Sequence, residues 1–441
     1  MLLPALGYPP PIIINWELEF KDKTLAGSGS HIGKIHGISN LLNDGNMIKK
    51  DDMVLIIDAY DVWFQLPPAI MLQRYHAINA AADARLSERM GGVDVAKLGM
   101  QQTIVVSVEK RCIPVKSREA CDARPETPLP QDLYGAETVQ KDDDPLNEPF
   151  ERNRERWLNS GVWLGRAADL QRLFVATARA STITNMYGSD QHVFGVVWIE
   201  QERRRTRLAA AGPKALKLIE EERQKNVPIM EFNLGLDYES SVSQGSANSE
   251  NDLEWLTFND RSSIDAALQK HNVTKTSRGE LVLKQDLKDS SPSDTLPAKF
   301  SNLNSWSDLP LWTDLWTHSI PAIIHHNAYG AKSRRETQWR NLWLQRSLRS
   351  MLEARSKEAP VALGQIDGRE IFPSSYWNYS MRALKGNEVK ELSWNQVCES
   401  SSNQVFEAQA HISWAHSYKD GAFHVNIVQE SCDALVEGKR Q

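Results

Sequence analysis

The chain has 441 residues, of which 41% are hydrophobic and 24% charged, enough apolar content for a sizeable core and too much for wholesale disorder. Lys plus Arg number 51 against 57 Asp plus Glu, for a net charge of −6. That balance argues against a nucleic-acid binder while leaving room for a local basic pocket. No apolar run reaches the roughly 18 residues that span a bilayer. The opening Met1-Leu-Leu-Pro-Ala-Leu lacks a basic flank and is followed by Pro9, Pro10 and Pro11, so it does not read as a signal peptide. Membrane association is expected only through an anchor upstream.

In chain order, residues 11–15 read as a strand, followed by a Gly/Ser turn at 27–30 and an amphipathic stretch at 31–43. Met53-Val-Leu-Ile-Ile57 is a short continuous apolar run ending in Asp58, the pattern of a central parallel strand covered on both faces. A helix is expected at 68–86 and another buried strand at Thr103–Val108. Strands and helices in alternation predict an open α/β sheet whose ligands sit beyond the carboxyl ends of the strands. Residues 113–156 read as a long surface excursion, 157–165 as compact and apolar, 167–180 as a helix, and 190–199 as an apolar helix leading into a charged one at 200–225. Polar loops are expected at 239–251 and 276–297, and a last buried strand at Ile320–His325. The predicted organisation is a main domain over 1–335, an amphipathic helix over 336–355, and a small extension of short strands over 356–441.

Four cysteines fall in two local pairs, Cys112 with Cys121 and Cys398 with Cys432. Two disulfides in an oxidising lumen and four thiols in a reducing compartment both suit that count. The sequons Asn272-Val-Thr and Asn378-Tyr-Ser lean toward the lumen, although a chain of this length produces a couple by chance.

Gly27-Ser-Gly29-Ser-His-Ile-Gly33 opens a helix, but its spacing is not that of a dinucleotide fingerprint, and Gly33-Lys34 is followed by Ile35 rather than the hydroxyl residue of a P-loop. Such a turn, with Lys34 beside it, can still receive phosphate oxygens through free N–H groups. Asp58-Ala-Tyr60-Asp61 carries the strongest signal. Two carboxylates at the end of a buried strand repel each other unless a hard divalent cation lies between them; the plainer alternative is a solvated turn. Trp157-Leu-Asn159-Ser160-Gly161-Val-Trp-Leu-Gly165 sets an amide and small residues inside an apolar run, where a ligand can come close. Asp190-Gln191 opens a helix, so Asp190 is a ligand contact or an N-cap. His325-His326-Asn327-Ala-Tyr-Gly330-Ala-Lys332 puts imidazoles and an ammonium just past a strand, suited to a third metal ligand and a phosphate partner or to ordinary structural duty. Asp237, in Gly235-Leu-Asp-Tyr238, is a weaker candidate for an acceptor contact.

In this order the segments resemble a known family: metal-dependent GT-A glycosyltransferases of the type found in the glycosyltransferase domain of procollagen lysyl hydroxylases and their fungal relatives. The resemblance covers about residues 9–335. It implies a Rossmann-like GT-A fold, a UDP-sugar donor, and Mn²⁺ or Mg²⁺ bound by Asp58, Asp61 and His325, with Tyr60 on the uracil. It also implies donor contacts from Gly27, Gly29, Lys34, Asn159, Ser160, Gly161, Asn327, Gly330 and Lys332, catalytic roles for Asp190 and Gln191, a protein or glycan acceptor, and residence in the Golgi or endoplasmic reticulum lumen. The collagen-modifying enzymes have His-Gly-Asn where this chain has His325-His326-Asn327, and Cys-Trp-Pro where it has Cys112-Ile-Pro114. His325 is expected to be the ligand, with His326 at the rim or toward the sugar.

Overall fold

The computed structural model describes residues 2–392 except 59–60, 94, 115–117, 122–124, 140–149, 186–187, 274–277, 301, 329–334, 336, 356–361, 367–368, 372–380 and 387. In chain order its strands are β1 (Ile12–Ile13), β2 (Met53–Ile57), β3 (Val62–Phe64), β4 (Ile104–Glu109), β5 (Trp157–Arg166), β6 (Leu234–Leu236), β7 (Ser243–Gly245), β8 (Leu253–Leu256), β9 (Leu311–Asp314), β10 (Ile323–His325), β11 (Gly364–Ile366), β12 (Arg369–Ile371), β13 (Met381–Lys385) and β14 (Glu388–Leu392). The helices are α1 (Leu2–Ala5), α2 (Ser30–Asn43), α3 (Pro68–Arg89), α4 (Arg118–Cys121), α5 (Ala167–Ser181), α6 (Asp190–Ala211), α7 (Ala215–Gln224), α8 (Arg261–Lys270), α9 (Gln285–Lys288) and α10 (Leu348–Arg355). None is long and apolar enough to cross a membrane among the described residues.

Seven strands form a mixed sheet in the order β2-β5-β4-β7-β10-β3, with β6 also on β4. β6 and β7 follow one another along the same side of β4, pairing Ile104–Val106 and Val108 respectively. β4, β6, β7 and β10 are parallel, β5 opposes both β4 and β2, and β3 opposes β10. The carboxyl ends of β2, β4, β7 and β10 therefore share one edge of the sheet with the starts of β5 and β3. Every main-sheet element of the site reaches that edge.

Side chains alternate along the strands into two cores. Val105, Val162 and Leu164 join the core that includes Ile70, Met71 and Tyr75 of α3 and Leu348, Met351 and Leu352 of α10. Ile104, Val106 and Trp163 join the other, with Ile35 and Ile38 of α2, Leu170 and Phe174 of α5, and Phe194 and Trp198 of α6. Period-2 alternation of wholly apolar residues is what helices on both faces demand.

Several expectations need correction. β2 is an end strand in antiparallel pairing with β5, not a central parallel one. Its apolar run has a different cause: Met53, Leu55 and Ile57 pack on one core, and Val54 and Ile56 on the other. The first strand, β1, lies outside this sheet and pairs with β13, so the C-terminal extension is stitched to the start of the chain. The helix expected over 336–355 is broken into 3₁₀ turns at Trp339–Asn341 and Gln345–Ser347 before α10 begins. α10 shares a core with Leu2, Ala5 and Leu6, so that core crosses the expected boundary at 335. The polar loop 239–251 contains β7, whose backbone is paired on both sides.

Candidate functional site

The site is assembled at the shared edge. The Asp58 backbone N–H donates to the Gly161 carbonyl at 2.8 Å, which fixes the acidic turn against β5. The His326 N–H donates to the Asp61 carbonyl at 2.7 Å, tying the same turn to the end of β10. The two acids are thus held by neighbours on opposite sides. Tyr60 between them, Gly330 and Lys332 lie outside the described residues.

Asp61 Oδ1 lies 3.4 Å from His325 Nε2. Burial alone would raise the Asp61 carboxyl, but the His325 charge and hydrogen bond, with Arg335 behind them, hold it below its ordinary value. His325 moves up: burial opposes its charge, and Asp61 outweighs burial with help from Asp58. The imidazole lies against Gly161, where an added Cβ would stand 2.2 Å from its Cε1 and 2.7 Å from its Nδ1. Only glycine leaves room there. Among the described residues, His325 Nδ1 is buried without a hydrogen-bond partner.

His326 turns the other way. Its ring meets Trp63 edge-on at 4.3 Å between centroids, and burial with the nearby Arg335 pushes its pKa down to about 3, so it is neutral. Of the two places expected for His326, the rim is corrected: the residue is buried against Trp63. The two imidazoles part because successive strand residues face opposite sides.

Lys34, on α2, reaches across to Asp58 Oδ1 at 2.9 Å and Asp190 Oδ2 at 2.6 Å. Asp58 is raised, chiefly by burial and also by Asp61 and Asp190, against the pull of Lys34 and His325. Asp190 is lowered: burial raises it, but Lys34, His31 and hydrogen bonds from Lys34 and Ser160 prevail. The N-cap of α6 is Ser189, whose Oγ accepts from His192 N at 3.2 Å. Asp190 is thereby released from capping and faces the acids. Gly27 and Gly29 form the left-handed turn ahead of α2, with φ of 54° and 97°.

A second polar group adjoins the first. Asn159 Nδ2 donates to Glu109 Oε2 at 3.2 Å, Gln191 Nε2 donates to Glu109 Oε1, and Gln191 Oε1 accepts from the Ser160 N–H at 3.3 Å. Asn159 Oδ1 accepts from the Gly161 N–H at 3.0 Å. Glu109 is buried and pushed up to about 7, mainly by burial, against hydrogen bonds from Asn159 and Gln191 and the charges of His325 and Arg111. A carboxyl poised near neutrality can take or give a proton. Sequence reasoning missed it, although an acid closing the apolar run of β4 is the same signal that drew attention to Asp58. The loop leaving Glu109 is pinned by the Cys112–Cys121 disulfide, and Gln191 Nε2 also donates to the Ile113 carbonyl at 3.2 Å. Cys398 and Cys432 lie outside the described residues.

Two expected contacts have other work. Asp237 accepts from the N–H groups of Ser241, Val242 and Ser243 at 3.0, 2.7 and 3.1 Å. It holds the turn between β6 and β7, which accounts for its carboxylate without an acceptor. Asn327 Oδ1 accepts from Ala247 N at 3.0 Å and braces the chain after β7.

The donor chemistry suits a divalent cation. Two ligand atoms at about 2.1 Å from one ion and near right angles stand about 3 Å apart, close to the Asp61–His325 separation, and an imidazole beside a carboxylate favours a transition ion over Mg²⁺. Asp58, one-third exposed with Lys34 on one oxygen, completes the trio that would hold it. Among the described residues no three His, Cys, Asp or Glu side chains are already gathered as a metal-holding group.

No protein-family model matches the chain, and no curated protein matches it.

Proposed function

We propose that the chain is a GT-A-type, metal-dependent glycosyltransferase that moves a hexose from a UDP-sugar to an acceptor hydroxyl on a protein or glycan, working in a secretory lumen. One arrangement supports the reading: Asp58, Asp61, Asp190, His325 and the Asn159–Gly161 segment converge at the carboxyl edge of the sheet, where α/β proteins place their ligands. Asp58, Asp61 and His325 would hold Mn²⁺ or Mg²⁺, which when bound neutralises the diphosphate leaving group. Gly161 leaves the imidazole its place, and Asn159 and Ser160 line the donor side. Asp190 stays ionised beside Lys34, able to orient a hydroxyl or accept its proton. Gln191 aims Asn159 and Glu109. Tyr60 on the uracil and Lys332 on phosphate complete the donor contacts.

The test is a panel of UDP-sugars with Mn²⁺, followed as UDP release and as glycosylated product with added acceptors. Metal-dependent release with product is expected. Release without product under every acceptor makes the chain a UDP-sugar hydrolase. A non-catalytic nucleotide-sugar binding protein is the second reading, favoured by Lys34, which already serves Asp58 as a cation. Binding without release would establish it.

A further inference from the structure

Lys34 is held more firmly than a loose phosphate-binding lysine needs to be. Its side chain is 14% exposed. The ammonium donates to Asp58 Oδ1 at 2.9 Å and to the Ser160 carbonyl at 3.4 Å, and it is ion-paired with Asp190 Oδ2 at 2.6 Å. The helix that carries it cannot readily back away. A Cβ on the preceding Gly33 would stand 2.2 Å from the Phe20 ring, and the Gly33 carbonyl accepts from Asn15 Nδ2 at 3.0 Å. Asp58 is held equally well by its N–H to the Gly161 carbonyl. Asp61, three residues on, meets His325 instead. The ligand trio is thus split, with two members together and the third engaged by an ammonium.

We propose that Lys34 is the resting counter-ion of this site and competes with the divalent cation for Asp58, so that the cation completes its ligand set only as Lys34 gives up Asp58 and keeps Asp190. This rests on the metal-dependent reading above and adds a positioning residue that sets how tightly the site takes its ion. Asp58 keeps a second oxygen for the ion, but an ammonium and a divalent cation on one carboxylate repel each other. In a partly buried site that repulsion is only partly screened and weakens the ion's hold. A proton left free when Lys34 leaves Asp58 faces the cleft, where a diphosphate oxygen can accept it. Cation entry and donor capture are then linked through one side chain.

The experiment is Mn²⁺ titration of the intact protein without nucleotide, by calorimetry or by the resonance signal of free Mn²⁺, for wild type, Lys34→Met and Lys34→Arg. Lys34→Met should bind Mn²⁺ roughly ten- to a hundredfold more tightly than wild type, and Lys34→Arg, which keeps the charge, should stay within a few fold of wild type. If Lys34→Met does not fold by thermal melting, Lys34→Gln, neutral and one atom shorter but able to donate to an acid, carries the same expectation. Equal or weaker Mn²⁺ binding by the neutral variants, with measurable binding by wild type, overturns the competition and leaves the metal-dependent reading standing. No Mn²⁺ binding by any form overturns both.

Discussion

Two lysines in this protein are each enclosed by acids, and the difference between the enclosures is instructive. Lys34 lies between Asp58 and Asp190 at the cleft, and Asp58 remains 34% exposed. Lys110, immediately after Glu109 at the end of β4, is 0% exposed and paired with Asp252, itself 1% exposed. Its ammonium also donates to the Glu151 carbonyl at 2.8 Å and lies 4.2 Å from the centre of the Tyr134 ring. Asp252 takes Arg152 on its other oxygen at 3.3 Å. Asp314 spends one oxygen on the N–H groups of Trp316 and Thr317. Glu155, also buried, has the Tyr134 hydroxyl at 3.4 Å. The buried cluster joins β4, the segment before β5 and the β8–β9 pair. The same charges at a strand end become a structural bolt when closed and a site when open.

Replacing the bolt should have the largest effect. Lys110→Met strands buried carboxylates and is expected to cost about 3–5 kcal/mol of stability, measured by chemical denaturation. Lys34→Met should cost less than half as much, because water reaches Asp58. Equal losses would erase the distinction between the two clusters.

At the open site, His325→Ala should reduce metal-dependent UDP release at saturating donor by roughly a hundredfold, about 2.7 kcal/mol. His326→Ala should leave Mn²⁺ affinity nearly unchanged and lower the melting temperature instead, since its ring packs on Trp63. Loss of the metal by the second variant rather than the first would move the ligand by one residue.

The closed cluster should respond to pH. Burial pushes Glu155 up to about 7 and Asp252 up to about 6, while Lys110 and, for Asp252, Arg152 pull the other way. Unfolded, both carboxyls return to their ordinary range and lose protons that the folded protein still holds. The stability gained by holding them is complete below the unfolded values and disappears as pH rises through about 6 to 7. Stability should therefore fall by roughly 2 kcal/mol between pH 6 and 8. Glu109 contributes in the same direction from the open site. Thermal melts of Glu155→Gln, which carries no titrating proton, should show a flatter profile; an unchanged slope would assign the dependence to the site.

The smallest effect expected is that of Gly161→Ala. Its methyl group must displace His325, lowering Mn²⁺ affinity roughly tenfold, about 1.4 kcal/mol, with the fold retained by circular dichroism. Unchanged affinity would mean that the imbalance between open and closed clusters does not depend on how closely the imidazole is seated.

Much of this is legible in the order of residues. Continuous apolar runs mark β2 and β4, and the helices α2, α3 and α5 fall where the pattern puts them, because burial on two faces leaves its period in neighbouring side chains. Asp58 and Asp61 stand out for a similarly local reason: acids closing an apolar run. Glu109 carries the same sign but is hidden by ending the strand at Val108, one residue short of it. β7, Ser-Gln-Gly, cannot be recognised that way, since pairing on both sides rather than side-chain character places it in the sheet. Asp190 stays ambiguous in sequence because Ser189 beside it is an equally good cap, and it is Ser189 that takes the role.

What the sequence alone determined is the set of chemical groups and their local settings: an acidic pair after one strand, a histidine pair after another, an Asn-Ser-Gly segment in a third, and a cysteine pair close enough to bond. Periodicity and capping are short-range, so a single stretch of chain suffices to express them. Only the tertiary structure decided that β2 ends the sheet beside β5, that β1 belongs with the C-terminal hairpin, that His325 and His326 part to opposite faces, and which acids Lys34 and Lys110 meet. Those outcomes depend on strand order and on which groups are desolvated together, and both are properties of residues far apart in the chain that meet only when it folds.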